Sequence, residues 1–305
     1  MFFKRNILKW LLGSNILFIC AICACAQYSN TVMPVVPVPD ATYVGSEGCA
    51  VCHEDVFEYF RKTVHYKIRR FEVGGKERGC ESCHGPGSAH VAERGNVDNI
   101  LSFSKLTPAQ SSAICLKCHT SGHLIDWNNN LHALSDVGCN ECHKSHKTTA
   151  KNMLYKSDPD LCYDCHQQMQ ARAQFPSHHP IREGKMKCAD CHNPHGSEFD
   201  VFSALNVNDL CYECHAEKQG PFIYEHQPVE EDCSLCHDPH GTIANNLLKQ
   251  NEPFLCLRCH TGHRGVQLAG SHPSMSSFVT SCTQCHSQVH GSDLPSQSGM
   301  GALTR

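Results

Sequence analysis

Cysteine and histidine recur in one fixed arrangement along this chain of 305 residues. Two cysteines separated by two residues are followed directly by a histidine, and this Cys-x-x-Cys-His box occurs ten times. The boxes use 20 of the 23 cysteines, and neither the gap nor the histidine varies. Numbered one to ten along the chain, they begin at Cys49, Cys80, Cys115, Cys139, Cys162, Cys188, Cys211, Cys233, Cys256 and Cys282.

The box is the attachment signature of c-type haem. Its two thiols add to the vinyl groups of the porphyrin, and the adjacent histidine ligates the iron from the proximal side. Zinc ribbons also pair Cys-x-x-Cys modules but do not require a histidine after every second cysteine. A disulfide framework explains neither the fixed gap nor the histidine. The boxes therefore predict ten covalently bound haem c groups.

Each box supplies two attachment cysteines and one proximal iron ligand. The predicted attachment residues are Cys49, Cys52, Cys80, Cys83, Cys115, Cys118, Cys139, Cys142, Cys162, Cys165, Cys188, Cys191, Cys211, Cys214, Cys233, Cys236, Cys256, Cys259, Cys282 and Cys285. The predicted proximal ligands are His53, His84, His119, His143, His166, His192, His215, His237, His260 and His286.

Thirteen histidines lie outside the boxes, and ten of them occupy two recurring positions, one before and one after each even-numbered box. No methionine recurs in this way. We therefore expect bis-histidine ligation throughout, which implies lower potentials than methionine–histidine ligation. The predicted distal ligands are His65, His90, His132, His146, His179, His195, His226, His240, His272 and His290.

Two of the ten choices of distal ligand leave an alternative open. The spacing of two other distal histidines predicts that they ligate a haem attached at a different box. His179 competes with His178, and His272 with His263; we favour the residues that directly precede proline. His195 and His240 each lie three residues after a proximal histidine. So short a tether cannot reach the far face of the same porphyrin, so each should ligate a different haem.

An internal repeat sets the arrangement of the boxes. From the third box on, odd-numbered boxes are spaced by 47, 49 and 45 residues and even-numbered boxes by 49, 45 and 49. The predicted fold is a multihaem cytochrome c, mostly irregular with short α-helices, in an elongated array of five two-haem repeats around a haem core. We expect a helix across residues 56–64 and shorter ones after His166 and His215.

Composition argues against both an ordinary core and a nucleic-acid partner. Apolar residues reach 40% only with the 23 cysteines included, so the porphyrins must supply most of the buried apolar surface. We therefore expect no stable fold without haem. The formal net charge is −4, and no basic tract is present, which excludes a nucleic-acid-binding protein of the usual kind.

The beginning of the chain is typical of an exported protein. Residues 1–26 combine basic residues, a short apolar stretch and a small-residue cleavage site, which predicts a signal peptide. The alternative is a degenerate lipobox that makes Cys25 a lipid anchor. Residues 27–44 form a predicted proline-rich linker, residues 45–295 the decahaem domain, and residues 296–305 a flexible tail.

Several stretches also resemble a known family. They are Cys80-Glu-Ser-Cys-His-Gly-Pro-Gly-Ser-Ala-His90, the His-Pro-Ile before Cys188, the Cys-His-x-Pro-His-Gly sequences at His192 and His237, and Cys285-His-Ser-Gln-Val-His-Gly-Ser292. From about Gly45 to Ser292 the chain resembles the MtrA/DmsE/PioA family of periplasmic decahaem c-type cytochromes.

That resemblance implies an electron-transfer protein of the periplasm, associated with the outer membrane. Its implied partners are an outer-membrane β-barrel porin, an outer-surface cytochrome or terminal reductase, and a periplasmic or inner-membrane cytochrome donor. Six-coordinate irons leave no position for a substrate, so we do not expect an enzyme. The alternatives are a multihaem reductase of a small oxidised substrate and a free electron-storage or filament cytochrome.

Overall fold

The structure is a computed structural model that describes residues 37–70, 79–147, 150–196, 202–260, 281–296 and 303. The predicted signal peptide, Cys25 and the larger part of the linker lie outside the described residues. So do His263 and His272, the two alternatives for one distal ligand. In the part of the chain that is described, no helix is both long and apolar enough to cross a membrane.

Short α-helices and turns make up the described chain. No α-helix in it exceeds eight residues. In chain order they are α1 Ser46–Ala50, α2 Glu54–Phe60, α3 Glu81–His84, α4 Ser88–Ala92, α5 Pro108–Cys115, α6 Leu131–Leu134, α7 Cys139–Cys142, α8 Asp160–Tyr163, α9 Gln167–Arg172, α10 Val207–Tyr212 and α11 Gln227–Glu231.

Short 3-10 helices connect these elements, one of seven residues and the others of three. They span Val64–Arg70, Val97–Asn99, Phe103–Lys105, Gly122–Leu124, Trp127–Asn129, Lys151–Met153, Cys188–Asp190, Ala216–Lys218, Cys233–Leu235, Asn245–Leu247, Cys256–Arg258 and Cys282–Gln284. Within the described ranges β structure is limited to isolated antiparallel bridges. The predicted multihaem fold, irregular with short helices, is confirmed.

Two of the three predicted helices differ in detail from the expectation. The helix expected across residues 56–64 ends at Phe60, whose carbonyl accepts a hydrogen bond of 2.8 Å from the Thr63 hydroxyl. The helix expected after His166 is α9. The short helix expected after His215 is a single 3-10 turn, Ala216–Lys218, because the following Gly220-Pro221 cannot continue a helix.

The peptide has little core of its own. Among the described residues five hydrophobic side chains are buried, and they are scattered along the chain: Phe60, Ile114, Trp127, Ala173 and Ala244. A continuous cavity of about 6140 Å³ runs between the boxes instead, lined by their cysteines and histidines. An ordinary ligand pocket holds about 300–1,000 Å³. The peptide therefore surrounds a very large internal space instead of packing on a hydrophobic core of its own.

The end of the predicted linker is attached to this surrounding peptide. The carboxylate of Glu81, which is 3% exposed, accepts hydrogen bonds from the amides of Val44, Gly45 and Gly87. The amide of Thr42 donates to the Ser88 hydroxyl at 2.8 Å. At the other end, the carbonyl of Leu303 accepts a bond of 3.2 Å from the amide of Gln288. Both terminal segments therefore contact the box region.

Candidate haem sites

Every box folds into the same single turn. In box one the amides of Cys52 and His53 both donate to the carbonyl of Cys49, at 3.2 and 3.0 Å. The bond from the histidine amide to the first cysteine's carbonyl recurs in all ten boxes, at 2.8–3.1 Å. This turn places both thiols and the histidine on one short piece of chain. The geometry suits attachment to a single porphyrin.

A side-chain lock, which the sequence analysis missed, joins the two boxes of each repeat. A polar side chain three or four residues before the odd-numbered box accepts a hydrogen bond from a backbone amide at the start of the even-numbered box. The lock residues are Ser46, Ser112, Asp158, Asn208 and Glu252, with acceptor distances of 2.7–3.2 Å. Their shared position relative to the box is the signal that could have found them.

The lock brings the first cysteines of the paired boxes together. A hydrogen bond between the thiols of Cys49 and Cys80 raises the pKa of Cys49 and lowers the pKa of Cys80. The same proximity joins Cys115 with Cys139, Cys162 with Cys188, Cys211 with Cys233, and Cys256 with Cys282. Asp158 and Glu252 lie within 4.8 Å of such pairs, but these sulfurs are haem-attachment atoms, so we assign no separate metal site.

Between repeats the second cysteines are the neighbours. Burial raises the pKa of Cys83, and the nearby thiol of Cys118 raises it further. Neighbouring thiols act in the same way on Cys142, whose pKa is raised by Cys162 and Cys165, and in the pairs Cys191 with Cys214 and Cys236 with Cys259. Proximity of first cysteines within a repeat thus alternates with proximity of second cysteines between repeats. As a result, consecutive boxes lie side by side in chain order.

Nine predicted proximal histidines each face a predicted distal histidine. The ring centroids of the two partners are 5.7–6.3 Å apart. The pairs are His53–His90, His65–His119, His84–His146, His132–His166, His143–His195, His179–His215, His192–His240, His226–His260 and His237–His290. The tenth proximal residue, His286, is described, whereas its candidate partners His263 and His272 are not.

These separations fit one iron between each pair of rings. An imidazole nitrogen binds a metal ion at about 2.0 Å. The centre of a five-membered ring lies about 1.1 Å behind that nitrogen when the ring bonds are about 1.33 Å long. Two rings on opposite sides of one iron should therefore have centroids about 6.2 Å apart. The residues present accordingly fit a six-coordinate haem.

The pairs obey two rules of connection. A histidine that lies between an odd box and the following even box pairs with the next odd box. We call these residues forward-reaching histidines; they are His65, His132, His179 and His226. A histidine just after an even box pairs with the preceding even box. We call these residues backward-reaching histidines; they are His146, His195, His240 and His290.

Each junction between neighbouring repeats is therefore crossed in both directions. At the first end of the array no earlier even box exists, and His90 pairs with His53 of its own repeat. His195 and His240 face His143 and His192, neither of which belongs to the box three residues upstream. The short tether thus leads to a neighbouring repeat.

Backbone carbonyls orient one ring in most pairs. In even boxes it is the proximal ring: the Nδ1 atoms of His84, His143 and His237 lie 2.8–2.9 Å from the carbonyl oxygens of Leu101, Asn152 and Asn246. A carbonyl can only accept, so Nδ1 carries the proton and Nε2 keeps a lone pair for iron. Asn152 and Asn246 have φ values of 60° and 56°, a conformation that asparagine tolerates.

In odd boxes the oriented ring is the distal one. His132, His179 and His226 place Nδ1 3.0–3.1 Å from the carbonyl oxygens of Pro194, Pro239 and Val289. Each acceptor directly precedes a backward-reaching histidine. The two ligands that cross a junction are thereby tied to each other. At the first end His90 follows the same pattern, with Nδ1 2.8 Å from the carbonyl of Asn96.

The electrostatics of the rings favour metal binding. Burial lowers the pKa of six ligand candidates, which keeps them neutral near pH 7 and leaves a nitrogen lone pair available. They are His65, His146, His192, His195, His226 and His290.

His178 and His123 take part in other contacts. His178 has Nδ1 2.5 Å from the Phe175 carbonyl and Nε2 3.2 Å from Glu183. Its hydrogen bond, together with that from Arg182, lowers the pKa of Glu183 to about 2. Nδ1 of His123 lies 3.3 Å from the side-chain amide nitrogen, Nδ2, of Asn193. The geometry thus favours His179 over His178 at the ring of His215.

Two families of known proteins match parts of the chain. The family described as Doubled CXXCH motif matches residues 132–171, 178–220 and 226–265. Each match contains one forward-reaching histidine and the box that it faces. The family Cytochrome c554 and c-prime matches residues 88–144. A solved structure, the undecaheme cytochrome from the S-layer of Carboxydothermus ferrireducens, is 18% identical with a TM-score of 0.20, over 67% of this chain and 46% of that one.

The boxes, the facing histidines and the motif matches define a multihaem c-type cytochrome, an electron-transfer protein rather than an enzyme. The chain is also 37% identical to the multiheme cytochrome MtrA of Shewanella baltica over 268 residues, which cover 83% of this chain and 80% of that protein. It belongs to the MtrA family of multihaem cytochromes.

Proposed function

We propose that the protein carries electrons in single file along ten bis-histidine haems, from the periplasm through an outer-membrane porin towards an extracellular acceptor or terminal reductase. The observation that carries this proposal is the order of the boxes in space. First-cysteine contacts within repeats and second-cysteine contacts between repeats connect the boxes one after another in chain order.

The twenty box cysteines and ten box histidines would hold the haems, and haem c supplies a one-electron iron couple. The forward- and backward-reaching histidines would supply the second iron ligand of eight haems from a neighbouring repeat, and His90 would supply that of the first. An iron held by two histidines would have no position for a substrate. The paired connections also hold neighbouring repeats at a fixed distance, which an electron-transfer row needs.

The proposed partners rest on the family relationship. A relative named multiheme cytochrome MtrA supports a periplasmic protein that meets an outer-membrane β-barrel, with a cytochrome donor on one side and a surface cytochrome or reductase on the other. Residues 1–26 are proposed as the export signal, and the alternative is a lipid anchor at Cys25.

Purification from outer-membrane extract tests the partner directly. We expect a β-barrel to co-purify, and we expect vesicles that contain the pair to oxidise enclosed reduced viologen when a ferric acceptor is added outside. The matched control is the same vesicle with the cytochrome alone. Isolation of a free cytochrome or a filament, with no electron transfer across the vesicle, would favour the storage alternative and overturn the conduit.

A further inference from the structure

The residue two positions before each backward-reaching histidine differs in charge from one junction to the next. The four junctions otherwise share their crossing ligands. In chain order this position holds Lys144, Asn193, Asp238 and Gln288. Asp238 is thus the single carboxylate at a position that elsewhere holds a cation or an amide.

Asp238 is in direct contact with the ligand that follows it. Its Oδ1 atom lies 3.4 Å from Nδ1 of His240 and accepts a hydrogen bond of 3.2 Å from the His240 backbone amide. The Asp238 side chain is 20% exposed. At three other even-numbered sites a carbonyl lies at Nδ1 of the proximal ring, whereas here a carboxylate lies beside Nδ1 of the distal ring.

Arg172, the last residue of α9, holds the carboxylate in position. Its Nη2 atom is paired with Oδ2 of Asp238, which leaves Oδ1 directed at His240. The approach of α9 depends on Gly241, where a Cβ atom would collide with the carbonyl of Arg172. An antiparallel bridge between Ser177 and Thr242 secures the same junction, with backbone bonds of 3.2 and 2.8 Å.

We infer that Asp238 is a positioning residue that tunes the iron between His192 and His240 to the lowest reduction potential of the four even-numbered sites that backward-reaching histidines complete. This inference rests on the proposed bis-histidine ligation. A carboxylate at Nδ1 strengthens electron donation by the imidazole more than a carbonyl or an amide does. Arg172 binds the far oxygen Oδ2, so the ion pair presents its negative end, Oδ1, to the His240 ring, which favours ferric over ferrous iron.

The residue at this repeated position would make the reduction potential differ from one haem of the row to the next. Lys144 carries a positive charge two residues before His146, with its Nζ atom bonded to the Asn140 carbonyl. Asn193 and Gln288 carry no charge at the same position before His195 and His290. Among these four sites an electron therefore spends the least time at the site of His192 and His240.

Two reciprocal substitutions test the inference on the purified, haem-bearing protein by spectroelectrochemistry. Asp238→Asn gives the junction the residue that Asn193 provides one repeat earlier, and Asn193→Asp makes the opposite exchange. In Asp238→Asn we expect the part of the absorbance change that belongs to one haem to move to higher potential. We expect the part that belongs to one haem to move to lower potential in Asn193→Asp, where no counterpart of Arg172 is paired with the new carboxylate.

The conservative variant Asp238→Glu should restore the wild-type curve. The inference would be overturned if the spectroelectrochemical titration curves do not move, or if they move in the same direction in both exchanges. If Asp238→Asn loses its low-spin signal, Asn193→Asp decides the question alone. Failure of the proposed function is distinguishable, since it would appear in the wild type as a high-spin iron or as the absence of a porin partner.

Discussion

The rings of His192 and His240 lie 5.8 Å apart with their planes 10° from parallel, although His240 belongs by sequence to the next even box, three residues after His237. His237 in turn faces His290, 53 residues further along. The even-numbered sites of boxes two, four, six and eight are therefore each completed by the following repeat. Loss of one distal histidine should damage a haem whose attachment residues lie elsewhere in the chain.

We predict that His240→Ala makes the iron beside His192 five-coordinate and leaves the haem at Cys233 and Cys236 six-coordinate. The reduced variant should bind one carbon monoxide, and its oxidised spectrum should gain a single high-spin signal. Covalent attachment should be unaffected because all thiols remain.

His178→Ala is the matched control, because the two nitrogens of His178 already contact Phe175 and Glu183. It should retain ten low-spin irons and bind no carbon monoxide. A high-spin signal in His178→Ala, together with only low-spin signals in His179→Ala, would show that His178 and not His179 is the iron ligand. A low-spin His240→Ala protein would remove His240 from the ligand set.

The relative orientation of paired rings predicts two kinds of electron paramagnetic resonance signal. Parallel imidazole planes separate two iron d orbitals in energy, whereas crossed planes leave them nearly equal and give a much larger maximal g value. The even-site pairs are 10–20° from parallel. The pairs His65–His119 and His132–His166 are crossed at 84° and 72°. We expect rhombic signals and large-g signals together, and rhombic signals alone would contradict the geometry.

Prediction from sequence succeeded where the repeat itself carries the information. The fixed boxes revealed the fold class, and the recurrence of His195 and His240 selected residues that now lie beside His143 and His192. The spacing could not show which box a ring faces, because that depends on how neighbouring repeats dock.

The lock residues escaped prediction for a different reason. Serine, asparagine, aspartate and glutamate serve at the same place, so residue type does not repeat, although the acceptor function does. Likewise, the acceptors of the proximal rings are backbone carbonyls, which any residue possesses. Only the positive φ of Asn152 and Asn246 leaves a trace in the sequence.

We predict that Asn208→Ala loosens the fourth repeat. The Asn208 side chain is 8% exposed and bonds the amide of Cys233 and the carbonyls of Val229 and Glu230. Loss of a buried partner costs about 1–3 kcal/mol. Amide exchange at Cys233 should accelerate accordingly, measured by mass spectrometry. Gln219→Ala, at an exposed position, is the control and should leave that exchange unchanged.

The turn at Asn246 offers a test of the carbonyl bond to His237. Valine at a φ of 56° costs about 1–2 kcal/mol, because its Cβ crowds the backbone, so Asn246→Val should move the acceptor away. The site of His237 and His290 should then shift to higher potential, since the imidazole donates less strongly. Asn246→Gly accepts this φ and should keep the wild-type potential. Equal redox titration curves for the two variants would contradict an effect of the Asn246 carbonyl on the reduction potential.

Finally, we predict that the chain has no stable fold before haem attachment. The cavity of about 6140 Å³ takes the place of a core, and large side chains such as Leu205, Ile243 and Val51 are 77–98% exposed. So few buried apolar groups cannot offset the conformational entropy of ordering the chain. Protein made without haem-attachment enzymes should show unprotected amides and rapid proteolysis, whereas the same chain with haem should be protected from about residue 45 onward. Protected amides in the haem-free chain would show that the peptide folds by itself and would contradict this prediction.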